Sequence, residues 1–87
     1  MTQYKITIEK LAEKFIMKLD RPEKERVLRA IAKLPHEGDI KRLKGKKSRG
    51  LLRLRVGDYR VVYTVDNGQL VVLVIDAGNR GDIYNRY

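Results

Sequence analysis

At 87 residues with no cysteine, the chain has room for one small domain with a thin core, and disulfide staples and thiolate metal sites are excluded. Its first residues hold no apolar run of signal-peptide length, and its longest apolar stretch, Leu70 to Ile75, is far too short to cross a bilayer, so a soluble cytoplasmic protein without a membrane partner is expected. The net charge of +9 is concentrated, because nine of the twenty residues from Lys41 to Arg60 are Lys or Arg and only Asp58 is acidic; a patch of that kind draws a polyanion, nucleic acid foremost, to one face.

In chain order, Tyr4 to Ile8 alternates apolar and polar residues and predicts a half-buried strand. Leu11, Ala12, Phe15, Ile16 and Leu19 then recur at spacings of three and four, the stripe of an amphipathic helix. Asp20 opens a second helix: its carboxylate is placed to cap, Pro22 suits the first turn, and Glu23 completes an Asp-x-x-Glu capping box. Val27, Leu28, Ile31 and Leu34 carry the stripe to Pro35 and Gly38, which stop it. The two helices are expected to form an antiparallel hairpin. Residues 41–50 show six positive charges and little periodicity, and read as a mobile surface loop.

After Gly50 the period changes to two. Leu52, Leu54 and Val56 alternate with Arg53 and Arg55, giving a strand with one apolar and one cationic face. Gly57-Asp58 turns the chain into a return strand, Tyr59 to Val65. Asp66-Asn67-Gly68 predicts a tight type I′ hairpin. The last strand, Gln69 to Asp76, has an unbroken apolar core that places it inside the sheet. The tail from Ala77 is rich in Gly and Asn and is not expected to be a strand, although 82–86 has the makings of one helical turn. The expected fold is α+β, a single domain over residues 1–87: an N-terminal strand, a two-helix hairpin and a three-stranded antiparallel meander. Two helices cover one sheet face, which leaves Arg53 and Arg55 on the other.

Three groups of residues carry potential chemistry. Arg53, Arg55 and Arg60 gather across the Gly57-Asp58 turn, and guanidinium groups suit phosphate because they donate parallel hydrogen bonds; a solvated strand face is the structural alternative. Arg80 and Tyr84, four residues apart near the C-terminus, pair a cation for phosphate with an aromatic plane for an unstacked base, or else belong to a frayed end. Lys41, Arg42, Lys44, Lys46, Lys47 and Arg49 read as phosphate-backbone contacts that give salt-dependent affinity, or as an ordinary charged loop. His36 is the only histidine and has no second ligand with which to hold a metal. Tyr59 and Tyr63 are expected to pack, and no glycine pattern for nucleotide phosphates is present.

The segment LLRLRVGDYRVVYTVDNGQLVVLVIDAGNRGDIYNRY, preceded by the helical pattern and a basic LKG loop, resembles the RelE branch of the RelE/ParE superfamily of bacterial and archaeal toxins. The resemblance runs nearly end to end and is most specific in RLRVGDYRVVY (Arg53 to Tyr63) and NRGDIY (Asn79 to Tyr84). It implies a RelE-like fold and a type II toxin, an mRNA interferase held inactive by a RelB-like antitoxin with an acidic segment. Such a toxin enters the ribosomal A site and cuts mRNA with the RNA's own 2′-hydroxyl, leaving a 2′,3′-cyclic phosphate, with neither metal nor small-molecule cofactor.

By position, the resemblance implies that Arg60 stabilises the transition state, Arg80 assists the leaving group and Tyr84 stacks on or orients the substrate. Arg53 stands where a lysine is proposed as general base, Leu51 stands where a second lysine is expected, and Arg55 becomes a supporting cation. Arginine keeps its proton up to a pH above about 12, so either Arg53 acts electrostatically while ribosomal RNA, a water or Tyr84 handles the proton, or the enzyme is slow, or the chain does not cut RNA. The alternatives are a ParE-like toxin that stalls DNA gyrase without chemistry of its own, and a nonenzymatic RNA-binding domain that blocks the A site.

Overall fold

The computed structural model describes residues 3–44, 50–79 and 83. Strand β1 (Lys5–Ile8) leads into helix α1 (Lys10–Met17) and helix α2 (Arg21–Ala32), followed by β2 (Asp39–Arg42), β3 (Leu52–Val56), β4 (Tyr59–Asp66) and β5 (Val71–Asn79). The strands form one sheet in the order β1-β5-β4-β3-β2. The meander from β3 to β5 is antiparallel, as its alternation predicts, and β1 joins β5 in parallel with Lys5 opposite Val71. No helix among the described residues is long and apolar enough to cross a membrane.

Both helices pack on one face of this sheet. Ala12 and Ile16 of α1 and Val27 and Ile31 of α2 meet Leu54, Val56, Val61, Tyr63, Val72 and Val74 in a single core. Each large apolar side chain removed from water there contributes about 1.5–3 kcal/mol. Phe15 closes one rim with an edge-to-face contact on Tyr59, their centroids 6.0 Å apart. His36 likewise meets Tyr4 edge to face at 5.6 Å. Leu11, expected in the stripe, is 52% exposed, because only one side of the short α1 touches the sheet and Ala12 and Ile16 occupy it. Leu28 is exposed as well, whereas Leu34, just past the end of α2, is buried as expected.

Several local expectations are corrected. Asp20 is the N-cap of α2, but its side chain makes no capping hydrogen bond; Pro22 and Glu23 do lie in the first turn. Lys41 and Arg42 are not in a loop, since Asp39–Arg42 forms a short edge strand paired antiparallel with β3. Its one apolar residue, Ile40, sits opposite Leu54 and anchors it to the core. The β4–β5 connection is not a two-residue type I′ turn. Asp66 pairs with Val71, leaving a loop of residues 67–70 in which the Asp66 carboxylate accepts the Gly68 and Gln69 N–H groups, both at 3.0 Å. The positive φ of that loop falls on Leu70, at 56°.

Strand β5 lies inside the sheet between β1 and β4, and runs on through Ala77, Gly78 and Asn79, which composition alone assigned to the tail. It carries a bulge: Val62 opposes Asp76, whereas the next residue, Tyr63, opposes Val74. Ile75 is therefore an extra residue on β5, and the alternation of the strand changes phase there. Val72 and Val74 point into the core, as does Ala77. Asp76 consequently shares a face with Val62 instead of following Val74 inward.

Candidate functional site

The face away from the helices is built by register. Residues directly opposite one another on neighbouring strands share a face. One row consists of Asp39, Arg55, Arg60 and Gly78, and the next of Lys41, Arg53, Val62 and Asp76. The alternation of β3 thus places Arg53 and Arg55 where the sequence predicts, with Leu52, Leu54 and Val56 turned to the core. Arg60 joins them from β4, directly opposite Arg55.

Arg60 is only 5% exposed. Its Nη1 donates to two main-chain carbonyls of its own hairpin, those of Gly57 and Tyr59, each at 3.0 Å. The Nε of the same guanidinium is buried and has no hydrogen-bond partner among the described residues. Leaving a buried donor unmatched costs about 1–3 kcal/mol, which an incoming anion oxygen would offset. No carboxylate among the described residues forms an ion pair with Arg60. The turn that fixes it requires glycine: Gly57 has φ of 59°, and a Cβ there would lie 2.9 Å from the Arg26 guanidinium.

Arg53 is held less firmly. Its side chain is 11% exposed and its Nη2 stands 3.9 Å from Asp39 Oδ1, near enough for attraction and too far for a hydrogen bond. Lys41, Arg42, Lys44 and Arg53 line a shallow cavity of about 250 Å³, so part of the predicted loop does converge on the strand. Arg42 is opposite Leu52 and lies exposed on the sheet edge. Lys46, Lys47, Arg49, Arg80 and Tyr84 lie outside the described residues. The structure therefore places Lys41 on one face with Arg53, Arg55 and Arg60, and Arg42 and Lys44 at the sheet edge beside Arg53.

Asp76 does not stand out in sequence, although one carboxylate ending an apolar run is a visible signal. It is fully buried, and its Oδ1 accepts the Ala77 N–H at 2.8 Å. It places a carboxyl group on a face otherwise dominated by arginine and lysine. Two tyrosines border the region from the core side. Burial pushes the Tyr63 hydroxyl up to about 12, and burial together with the nearby Glu23 carboxylate raises that of Tyr59. Neither is a ready base at neutral pH.

A pair of helices packed on one face of a five-stranded sheet has counterparts among solved structures. The family model of the ParE toxin of type II toxin–antitoxin systems matches residues 6–84. The chain belongs to that family. The toxin is thereby a member of the RelE/ParE superfamily. It is similar to an archaeal RelE–RelB complex from Pyrococcus horikoshii at 29% identity and a TM-score of 0.73, covering 93% of this chain and 99% of that one. The fold also matches isolated Escherichia coli RelE, at 24% identity and a TM-score of 0.69 over 95% of this chain and 93% of that one. A YoeB/ParE toxin from Agrobacterium tumefaciens has the same fold at 21% identity and a TM-score of 0.67, over 86% and 96% of the two chains. No individually curated protein sequence matches the toxin.

Proposed function

We propose that this toxin is a ribosome-dependent endonuclease that cleaves mRNA in the A site. The observation that carries the reading is Arg60, buried in the cationic face with an unmatched Nε beside the rows of Arg53 and Arg55. In the reaction, the 2′-oxygen attacks the adjacent phosphorus, the bond from phosphorus to the 5′-oxygen breaks, and a 2′,3′-cyclic phosphate remains. The 2′ proton leaves to an acceptor, and the departing 5′-oxygen gains one.

Arg60 stabilises the extra negative charge on the pentacoordinate phosphate, the contribution that preorganised donors make best in a water-poor site. Arg53 and Arg55 add electrostatic support. Arg80 assists the leaving oxygen and Tyr84 orients or stacks on the substrate, roles assigned to them by sequence resemblance. The proton acceptor is water or ribosomal RNA, because arginine at position 53 and leucine at position 51 leave those positions without a base.

Lys41, Arg42 and Lys44, with Lys46, Lys47 and Arg49, hold ribosomal RNA through its phosphates. The partner that silences the toxin is an antitoxin whose acidic segment covers the cationic face, guided there by charge. The complexes that the similar archaeal and bacterial RelE chains form with RelB support that partner. A toxin that acts on ribosomes works in the cytoplasm.

The test adds purified toxin to translating ribosomes and maps mRNA ends, with Arg60→Ala and Tyr84→Phe alongside. New ends in the A site, lost in both variants, are the expected result; intact mRNA under translation arrest would indicate a nonenzymatic block instead. A second reading, a toxin that stalls DNA gyrase, is favoured by the match to the ParE family model. Inhibition of gyrase supercoiling with no effect on translation would establish it over the first.

A further inference from the structure

A second cationic site lies around the edge of the sheet from the arginine rows. Between α2 and the end of β3 is a cleft of about 400 Å³, lined by Arg26, Arg29, Lys33, Glu37 and Arg55 over a floor that includes Gly57. Strand β2 creates it by starting at Asp39, opposite Arg55, so Val56 and Gly57 have no neighbouring strand on that side.

Arg26 and Arg29 of α2 and Lys33, its C-cap residue, are spaced three and four residues apart and therefore lie on one helix face. Like charges so placed repel one another. Arg26 is balanced by Glu23, at 3.9 Å. Arg29, Lys33 and Arg55 have no carboxylate within ion-pairing distance among the described residues, although Glu37 sits on the rim. With Arg26 and Glu37 counted, the lining is still +3.

Arg55 belongs both to this cleft and to the row containing Arg60. The two cationic surfaces are thus continuous around the end of β3. Among the described residues the cleft has no aromatic side chain on which a base can stack, so its chemistry suits a phosphate backbone more than a nucleobase. We propose that the cleft holds the phosphates of single-stranded RNA flanking the segment that crosses Arg60, so that one strand runs from the arginine rows over Arg55 onto α2. This rests on the RNA-directed reading of the site and extends it to a second stretch of the same strand.

The experiment measures binding of the purified toxin to single-stranded RNA oligomers of 4 and 12 nucleotides by fluorescence anisotropy across a salt series, without ribosomes. The variants are the double substitution Arg29→Gln/Lys33→Gln and, as a control outside the cleft, Lys10→Gln/Lys14→Gln on α1. The expected result is tighter binding of the 12-mer than of the 4-mer by the unmodified toxin. In the cleft variant that advantage disappears and the salt slope for the 12-mer falls by about 1.4, near 0.7 for each phosphate that is no longer neutralised. The control keeps both, and thermal unfolding confirms that each variant is folded.

Equal binding of the two oligomers, or an unchanged slope in the cleft variant, overturns the cleft while leaving the RNA-directed site intact. Binding of neither oligomer overturns the cleft, while the ribosome-dependent reading stands or falls on the mapping of mRNA ends. A polyglutamate peptide is run in parallel; if the cleft variant loses affinity for the peptide and keeps it for the 12-mer, the cleft is a docking site for an acidic protein and the proposal fails.

Discussion

Arg55 and Arg60 stand directly opposite each other on β3 and β4, a like-charged cross-strand pair that the fold maintains at its own expense. Arg55 is exposed while Arg60 is buried. Opposed like charges of this kind cost about 0.2–1 kcal/mol.

Replacing Arg55 by Gln is therefore expected to stabilise the fold by up to about 1 kcal/mol, read as a higher urea midpoint with an unchanged slope. The gain shrinks as salt is added, because screening already weakens the repulsion at an exposed position. On the RNA-directed reading, the same variant is expected to bind RNA more weakly. A destabilised Arg55→Gln protein would show that the pair is not repulsive in solution.

Arg60→Ala removes the buried guanidinium together with its bonds to the Gly57 and Tyr59 carbonyls. Single-turnover mRNA cleavage on ribosomes is expected to fall by about 10²–10³, the usual effect of losing one preorganised donor to a developing charge. Ribosome affinity changes little, since the loss acts on the chemical step. Arg60→Lys keeps the charge without the fork and falls between the two. Equal loss of binding and cleavage would make Arg60 a docking contact.

Gly38→Ala tests the packing beneath the cleft. Gly38 has φ of 136°, and a Cβ there would lie 2.6 Å from Leu54 Cδ1, a core side chain with almost no exposure. Backbone strain combined with overpacking predicts a loss of about 2–4 kcal/mol in chemical denaturation. Gly50→Ala, with φ of 80° and open space around it, carries only the backbone penalty of about 1–2 kcal/mol.

At alkaline pH the buried Tyr63 sets a limit. Its hydroxyl is raised from 10.0 to about 12, so between those values the folded protein keeps a proton that the unfolded chain has released. Stability then declines with rising pH: the contribution is complete below about pH 10 and lost through about pH 12. Tyr59 is shifted in the same direction. Urea midpoints at pH 8, 10 and 11.5 are expected to drop less steeply in Tyr63→Phe than in the unmodified toxin, and parallel curves would contradict the assignment.

The alternation of β3 and β4 made the cationic face readable from sequence, because a period of two leaves Arg53 and Arg55 nowhere to go but opposite Leu52 and Leu54. Strand β2 escaped because Asp-Ile-Lys-Arg has one apolar residue and owes its structure to pairing with β3 rather than to its own pattern. The end of β5 escaped for a related reason: Ala77-Gly78-Asn79 has low strand propensity, yet β4 supplies its hydrogen-bonding partner. The bulge at Ile75 leaves no mark in composition, and with it the placement of Asp76 was hidden. The α2 cleft was unreadable because it joins Arg29 and Lys33 to Arg55 across more than twenty residues of sequence. Helical spacing gave the α2 side of that cleft and strand alternation the β3 side, but only the packing angle joins them.

The sheet order has a consequence for when the protein becomes dangerous. Because β5 is inserted between β1 and β4, the first seventy residues hold two sheet fragments with nothing to bridge them. During synthesis the core and the seat of Arg60 remain unfinished until residue 79 has cleared the ribosome, and domains of this size fold as units. A chain that lacks β5 accordingly has no continuous sheet, and the cationic rows come together in a single event once β5 pairs with both of its neighbours.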